Sequence, residues 1–289
     1  IYGDGKFVAV GESIVQGTPG VMWYNGTGNS WFKATIMTQF DNTLPNDWIA
    51  GTGVDSGIGY GIAYSGDKFV MVGKWGTGTS TNTIYYSTDA IYWTASNNQS
   101  IFSTGRGVTW AGNKFVAFGD NKNFGSSVAY SYDGKTWVGL GTRIEGININ
   151  RGFAVKWINK LGKYYFGCHG GRQFAYSYDG IDWYWANINS GIFTIKTTGF
   201  DYNYNRFVAV GEGTSTLAYS DDGVTWTLLG NSLLTKGTSV SWNDKLWIAT
   251  GEGPCTIIYS EDNGVNWIDA SNSSDLTQGS SSIFTTRVN

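Results

Sequence analysis

The chain has 289 residues, 41% hydrophobic and 16% aromatic, with 42 Gly, 14 Trp, 18 Tyr and 15 Phe. So much apolar material excludes a disordered chain, while charged residues reach only 14% against about 25% in a typical domain. A net charge of −3 argues against nucleic acid as a partner, and no apolar run has the ~20 residues of a membrane span, so no membrane insertion is expected. Two cysteines and a single histidine leave no ligand set for a metal site, and no cofactor is expected. The surface must then be dressed with Asn, Ser, Thr and Gly, which fits an extracellular or particle-surface protein, secreted, cell-surface or virion. A first residue other than Met reads as a processed product or an excised piece.

Taken in chain order, two motifs alternate. GKFVAVGE (5–12) precedes a degenerate YNGTGNSW (24–31), and DKFVMVGK (67–74) precedes YSTDAIYW (86–93). NKFVAFGD (113–120) leads to YSYDGKTW (130–137), and GKYYFGCH (162–169) to YSYDGIDW (176–183). NRFVAVGE (205–212) is followed by YSDDGVTW (219–226), and DKLWIATGE (244–252) by YSEDNGVNW (259–267). The closing tryptophans Trp31, Trp93, Trp137, Trp183, Trp226 and Trp267 lie 41 to 46 residues apart except for the first interval of 62. That describes six repeats with one insertion at 40–57.

Each repeat reads as four strands, A to D. In the third, 107–112, 114–119, 127–131 and 137–140 carry alternating apolar residues punctuated by Gly, Asn and Asp. Four-stranded units of this length repeated six times predict an all-β, six-bladed propeller of antiparallel blades. The blades fall near 1–39 plus 281–289, 58–97, 104–142, 150–188, 195–231 and 236–271, in a single domain. The first repeat opens at strand B, and SSIFTTRVN (281–289) looks like a strand A with no B after it. Joining them is expected to close the ring and remove two open sheet edges.

The box of Ser, Asp, Gly and Trp has a physical reading. The Asp carboxylate can accept backbone N–H groups across a tight turn, Gly supplies positive φ, and Trp buries a large surface between blades. On these five copies the chain resembles the Asp-box, or bacterial neuraminidase repeat, propellers over essentially its whole length. The resemblance implies that Asp89, Asp133, Asp179, Asp222 and Asp262 are turn staples on the rim opposite the ligand face. It also raises sialidase activity, but the Arg-Ile-Pro segment of such enzymes is missing and only six arginines are present. No catalytic residue is assigned, and the expected role is a binding or display module. A sialidase-like hydrolase and a purely architectural subunit remain the alternatives.

Strand-A entries and strand-B exits should meet at one mouth. The entries are taken as Tyr60, Arg106, Arg151, Lys196, Lys236 and Arg287, and the exits as Lys74, Asp120, His169, Glu212, Glu252 and Glu12. Arg106 with Asp120, Lys196 with Glu212, Lys236 with Glu252 and Arg287 with Glu12 then form base–acid pairs, which would set register and blunt the rim. Tyr60 with Lys74, and Arg151 with His169 and nearby Arg172, break that pattern and leave unpaired positive charge. Arginine suits bidentate recognition of an anion. The candidate ligand-binding residues are therefore Tyr60, Lys74, Arg106, Arg151, His169 and Arg172, with Trp48 of the insertion overhanging the mouth. His169 alone reads more often as a hydrogen-bonded structural residue than a functional one, and Trp48 more often as packing for its own loop. The expected partner is an anionic or neutral glycan, or a protein within a larger chain or particle. Asn25, Asn98 and Asn272 open N-x-Ser/Thr sequons that matter only in a secretory pathway. Cys168 and Cys255 fall in different repeats and are not expected to pair.

Overall fold

A computed structural model of the chain describes residues 1–10, 21–24, 32–33, 35–39, 48–50, 57–75, 82–97, 101–120, 125–141, 151–169, 173–186 and 193–270. They fall in two compact units, one of 1–143 with 150–157 and the other of 144–149 with 158–289. Among the described residues every regular element but one is a strand; the exception is a 3-10 turn at Asn159–Leu161.

In the first unit, β1 (Tyr2–Gly3), β2 (Lys6–Val10), β3 (Val21–Tyr24) and β4 (Phe32–Lys33) form a four-stranded antiparallel sheet in sequence order. β1 corrects one expectation: the chain does not open directly on strand B, because Tyr2–Gly3 already fills the last two positions of a strand A. Asp4 and Gly5, at φ 48 and 69, make the tight hairpin between them. The proposed closing strand 281–289 lies outside the described residues.

β5 (Thr35–Gln39) and β6 (Trp48–Ala50) follow, then β7 (Gly57–Tyr64), β8 (Phe69–Trp75), β9 (Asn82–Ser87) and β10 (Tyr92–Ala95). These six make one sheet in the order β6-β5-β10-β9-β8-β7. β5 pairs with β10 in parallel, Tyr92 opposite Thr35, and β6 pairs antiparallel with β5. The insertion therefore contributes a strand at the far edge of this sheet. The third repeat supplies β11 (Thr104–Trp110), β12 (Phe115–Asp120), β13 (Val128–Ser131) and β14 (Val138–Gly139), and β15 (Arg151–Ile158) opens the fourth.

The second unit carries β16 (Lys163–His169), β17 (Phe174–Ser177) and β18 (Trp183–Trp185), paired in that order. Two full antiparallel sheets follow. One is β19 (Lys196–Tyr202), β20 (Phe207–Glu212), β21 (Leu217–Ser220) and β22 (Thr227–Leu228). The other is β23 (Lys236–Trp242), β24 (Trp247–Glu252), β25 (Ile257–Ser260) and β26 (Ile268–Asp269).

The core lies between successive repeats, and strand B explains why. Phe69 and Met71 of β8 pack with Val8 of the first repeat and with Trp93, while Val70 and Val72 point the other way into a cluster with Phe115, Ala117 and Trp137 of the third. Alternate residues of one strand thus serve both neighbours, so the strand must be apolar on both faces. The fifth and sixth repeats share a cluster of the same kind, built from Val208, Val210, Trp247 and Ile258. An aromatic pair also spans the A–B hairpin in five repeats: Tyr2–Phe7, Tyr64–Phe69, Trp110–Phe115, Tyr202–Phe207 and Trp242–Trp247, with ring centroids 4.3 to 5.2 Å apart. Such cross-strand aromatic pairs favour the hairpin register.

Candidate functional site

The five box turns share one geometry. In the third repeat, Asp133 Oδ1 accepts the backbone N–H of Lys135 and Thr136, the Ser131 hydroxyl donates to Asp133, and Gly134 N–H donates back to Ser131. Asp89, Asp179 and Asp222 accept the equivalent pairs of N–H groups. The sixth box is one residue longer, so Asp262 reaches Val265 and Asn266. Its extra residue, Asn263, takes a left-handed φ of 62 and is held by Asn203 and Arg206 of the preceding repeat. Ala90 occupies the glycine position of the second box at φ 62.

The carboxylates are consumed by these turns, which has a pH consequence. Burial pushes the Asp133 and Asp222 carboxyls up, but the backbone N–H groups they accept outweigh it and hold both below the ordinary aspartate range. Asp262 is lowered chiefly by the Asn266 N–H. A carboxyl depressed in the folded state stabilises fully above its unfolded value, and that contribution fades as pH falls through the folded one. Asp133→Ala is expected to lose roughly 1–3 kcal/mol at pH 7, the cost of stranding turn N–H groups. The gap from the parent should narrow between about pH 4 and pH 2, which urea melts across that range would measure.

At the other end of the strands lie the candidate ligand residues. Four strand-A/strand-B pairs carry a β-bulge at the same place, between Gly59 and Gly61, Gly105 and Gly107, Thr197 and Gly199, and Gly237 and Ser239. The residues lifted out of register are Tyr60, Arg106, Thr198 and Thr238. The true strand-A entries, opposite Lys74, Asp120, Glu212 and Glu252, are Ile58, Thr104, Lys196 and Lys236. The sequence reading thus aligned residues two positions apart.

The exits also pair forward. Asp120 stands opposite Arg151, His169 opposite Lys196, and Glu212 opposite Lys236. In the first unit this brings two arginines onto one carboxylate. Arg106 Nε and Nη2 donate to Asp120, the latter at 2.8 Å, and Arg151 Nε lies 3.0 Å from Asp120 Oδ1. Arg151 is therefore not the unpaired base expected from sequence, because the forward pairing supplies Asp120. Burial opposes the Arg106 charge, yet Asp120 more than offsets this and raises its pKa. The Arg106 guanidinium covers the Tyr60 ring at 4.5 Å, and Arg151 lies 6.0 Å from the Phe153 ring. Phe153 was missed because nothing in the sequence marks it from other strand aromatics. Two arginines on one aspartate leave one net positive charge, and the Arg151 side chain is 48% exposed against 19% for Arg106. Lys74 is exposed, and no ion pair is formed by it among the described residues.

In the second unit the same positions are balanced. Lys196 meets Glu212 at 3.1 Å, and Lys236 meets Glu252 at 3.0 Å and Glu212 at 3.9 Å. Glu252 raises the Lys236 pKa. His169 is exposed at the end of β16. Arg172, Glu12 and Arg287 lie outside the described residues. Trp48 is on β6, at the sheet edge opposite Tyr60 on β7. Both cysteines are buried free thiols, and burial pushes Cys168 up to about 12, which makes it unreactive.

No family model and no curated protein matches the chain. Solved structures do. It superposes on the Niastella koreensis GH74 enzyme with TM-score 0.53 and 17% identity, over 86% of this chain and 40% of that one. It matches a chain of a nidogen/laminin complex with TM-score 0.54 and 12% identity, over 96% and 97%. YCF48 bound to D1 peptide gives TM-score 0.54 and 14% identity, over 86% and 73%. The fold is a β-propeller. The chain spans less than half of the GH74 chain, and these propellers include both an enzyme and protein-binding members. The propeller fold therefore does not itself choose between catalysis and binding.

Proposed function

We propose that this propeller, six-bladed by its repeat count, is a non-enzymatic binding module for an anionic glycan on an extracellular or particle surface. The observation that carries the reading is the Arg106–Asp120–Arg151 cluster. It keeps one net positive charge, presents a half-exposed Arg151 side chain, and lies beside Tyr60, a residue that is 42% exposed. A guanidinium grips an acidic group, and an aromatic face accepts the apolar side of a sugar ring. Lys74, on β8, adds charge on the sheet that carries Tyr60. The carboxylates Glu212 and Glu252 are each engaged by lysine, an arrangement that suits a charge belt better than a proton donor.

Titration with glucuronate, preceded by a glycan array, tests this. Arg151→Ala is expected to weaken binding about tenfold, the usual worth of a charge-assisted hydrogen bond, and Lys74→Ala to weaken it less. Affinity should fall with added salt. Turnover of a fluorogenic glycoside that Glu212→Gln or Glu252→Gln abolishes would overturn the reading, as would retention of full affinity by Arg151→Ala.

A further inference from the structure

The geometry points to Asp120 as the residue that limits what the site gains from ligand charge: it weakens a dianion, such as a phosphate, more than a monoanion, such as a carboxylate. The inference rests on the anion-binding reading above and deepens it. Asp120 is bound from two sides. Arg106 holds it through Nε and Nη2, and Arg151 through Nε. Among the described residues, Asp120 is the acceptor that Arg151 meets, and the Arg151 side chain is 48% exposed. An anion that reaches this guanidinium from solvent therefore sits one guanidinium away from a fixed carboxylate it cannot displace without also breaking the Arg106 contacts.

The carboxylate does two things with different dependence on ligand charge. It orients both arginines, which helps any anion equally. It also repels the anion, and Coulomb repulsion scales with the ligand's charge. A dianion meets twice the repulsion of a monoanion while it gains twice the attraction to the arginines, so Asp120 trims the advantage of the second charge without reversing it. Without Asp120 the two guanidinium groups would offer two positive charges, and with it the cluster offers one. Elsewhere in the chain, Glu212 is likewise shared between two cations, Lys196 and Lys236, but Lys236 there has a second carboxylate in Glu252. The Asp120 cluster has no second acid among the described residues.

The test is a ratio, so that loss of orientation cancels. Wild type, Asp120→Asn and the charge-retaining Asp120→Glu are titrated at pH 8 with glucuronate, a monoanion, and with glucose 6-phosphate, a dianion there because its second pKa is about 6. Asp120→Asn should shift the affinity ratio toward the phosphate by about threefold, the factor for one extra unit charge roughly 7 Å away in water. Asp120→Glu should leave the ratio near the wild-type value. Thermal melts accompany each titration, and Asp120→Ser replaces Asp120→Asn if the latter does not fold. An unchanged ratio in a folded neutral variant that still binds both probes overturns the role of Asp120 alone. Failure of wild type and all variants to bind either probe overturns the anion-binding reading, and this inference with it.

Discussion

Trp137→Ala is expected to cost about 3–5 kcal/mol, the range for emptying a buried tryptophan site. The side chain is fully buried and sits in a cluster drawn from two repeats, touching the chemistry of Val70 and Val72 on one side and Phe115 and Ala117 on the other. Its indole N–H also donates to the Gly134 carbonyl within its own box, at 3.1 Å. Removing it therefore leaves a cavity between repeats and frees a turn carbonyl together. Urea melts should show a lower midpoint with an unchanged slope, since the surface exposed on unfolding is nearly the same. Tyr132→Ala, at a ring 62% exposed, is the matched control and should cost less than about 1 kcal/mol. Equal losses from the two variants would mean that the box tryptophans do not cement neighbouring repeats.

The second large effect is expected at Gly119. An alanine Cβ there would stand 2.4 Å from the Thr104 carbonyl oxygen and 2.5 Å from Phe102 Cγ. The obstacle is backbone, so a side-chain rotation cannot relieve it. Gly73, Gly211 and Gly251 face the carbonyls of Ile58, Lys196 and Lys236 at 2.0 to 2.2 Å in the same way. Overpacking of this kind costs about 1–3 kcal/mol, and occasionally more. Gly119→Ala should reach the upper end, and it should also weaken anion binding in the folded fraction, because Thr104 and Asp120 are register partners and Asp120 orders both arginines. Gly112→Ala separates clash from conformational strain. Its φ of 83 is left-handed, which that of Gly119 is not, and no atom lies within 4 Å of the new Cβ, so strain alone should cost only about 1 kcal/mol. Binding should be untouched.

Strand B and the box were legible in the sequence because their constraints are local. A strand buried on both faces must be a run such as Phe69-Val70-Met71-Val72, and an Asp that caps its own turn announces itself by the Ser two residues before it. The strand-A entries were not legible. The bulge sits at the same place in all four strands and does not cause the two-residue offset: the true entries Ile58 and Thr104 carry no charge, and the bulged Tyr60 and Arg106 two positions on were aligned with Lys196 and Lys236 in their stead. The Gly-x-Gly spacing at 59–61 and 105–107 was the available signal, since glycine inside a strand marks a bulge or a close backbone approach. The pairing of Arg151 with Asp120 was hidden for a different reason: it joins the end of strand B in one repeat to the start of strand A in the next, across 31 residues, where no periodicity reaches.

β5 changes how the first unit should respond to force. In an array of repeats each sheet normally holds on to its neighbours by side chains alone, so a pull on one end peels the repeats off singly. Here the chain leaves β4 at Lys33 and two residues later is hydrogen-bonded alongside β10 of the following sheet. The parallel ladder of Thr35, Ile36 and Met37 against Tyr92, Trp93 and Thr94 would have to shear before the first repeat could leave the second. Stretched from its amino terminus, the protein should yield these two repeats in a single rupture, with a contour-length step twice that of a lone repeat.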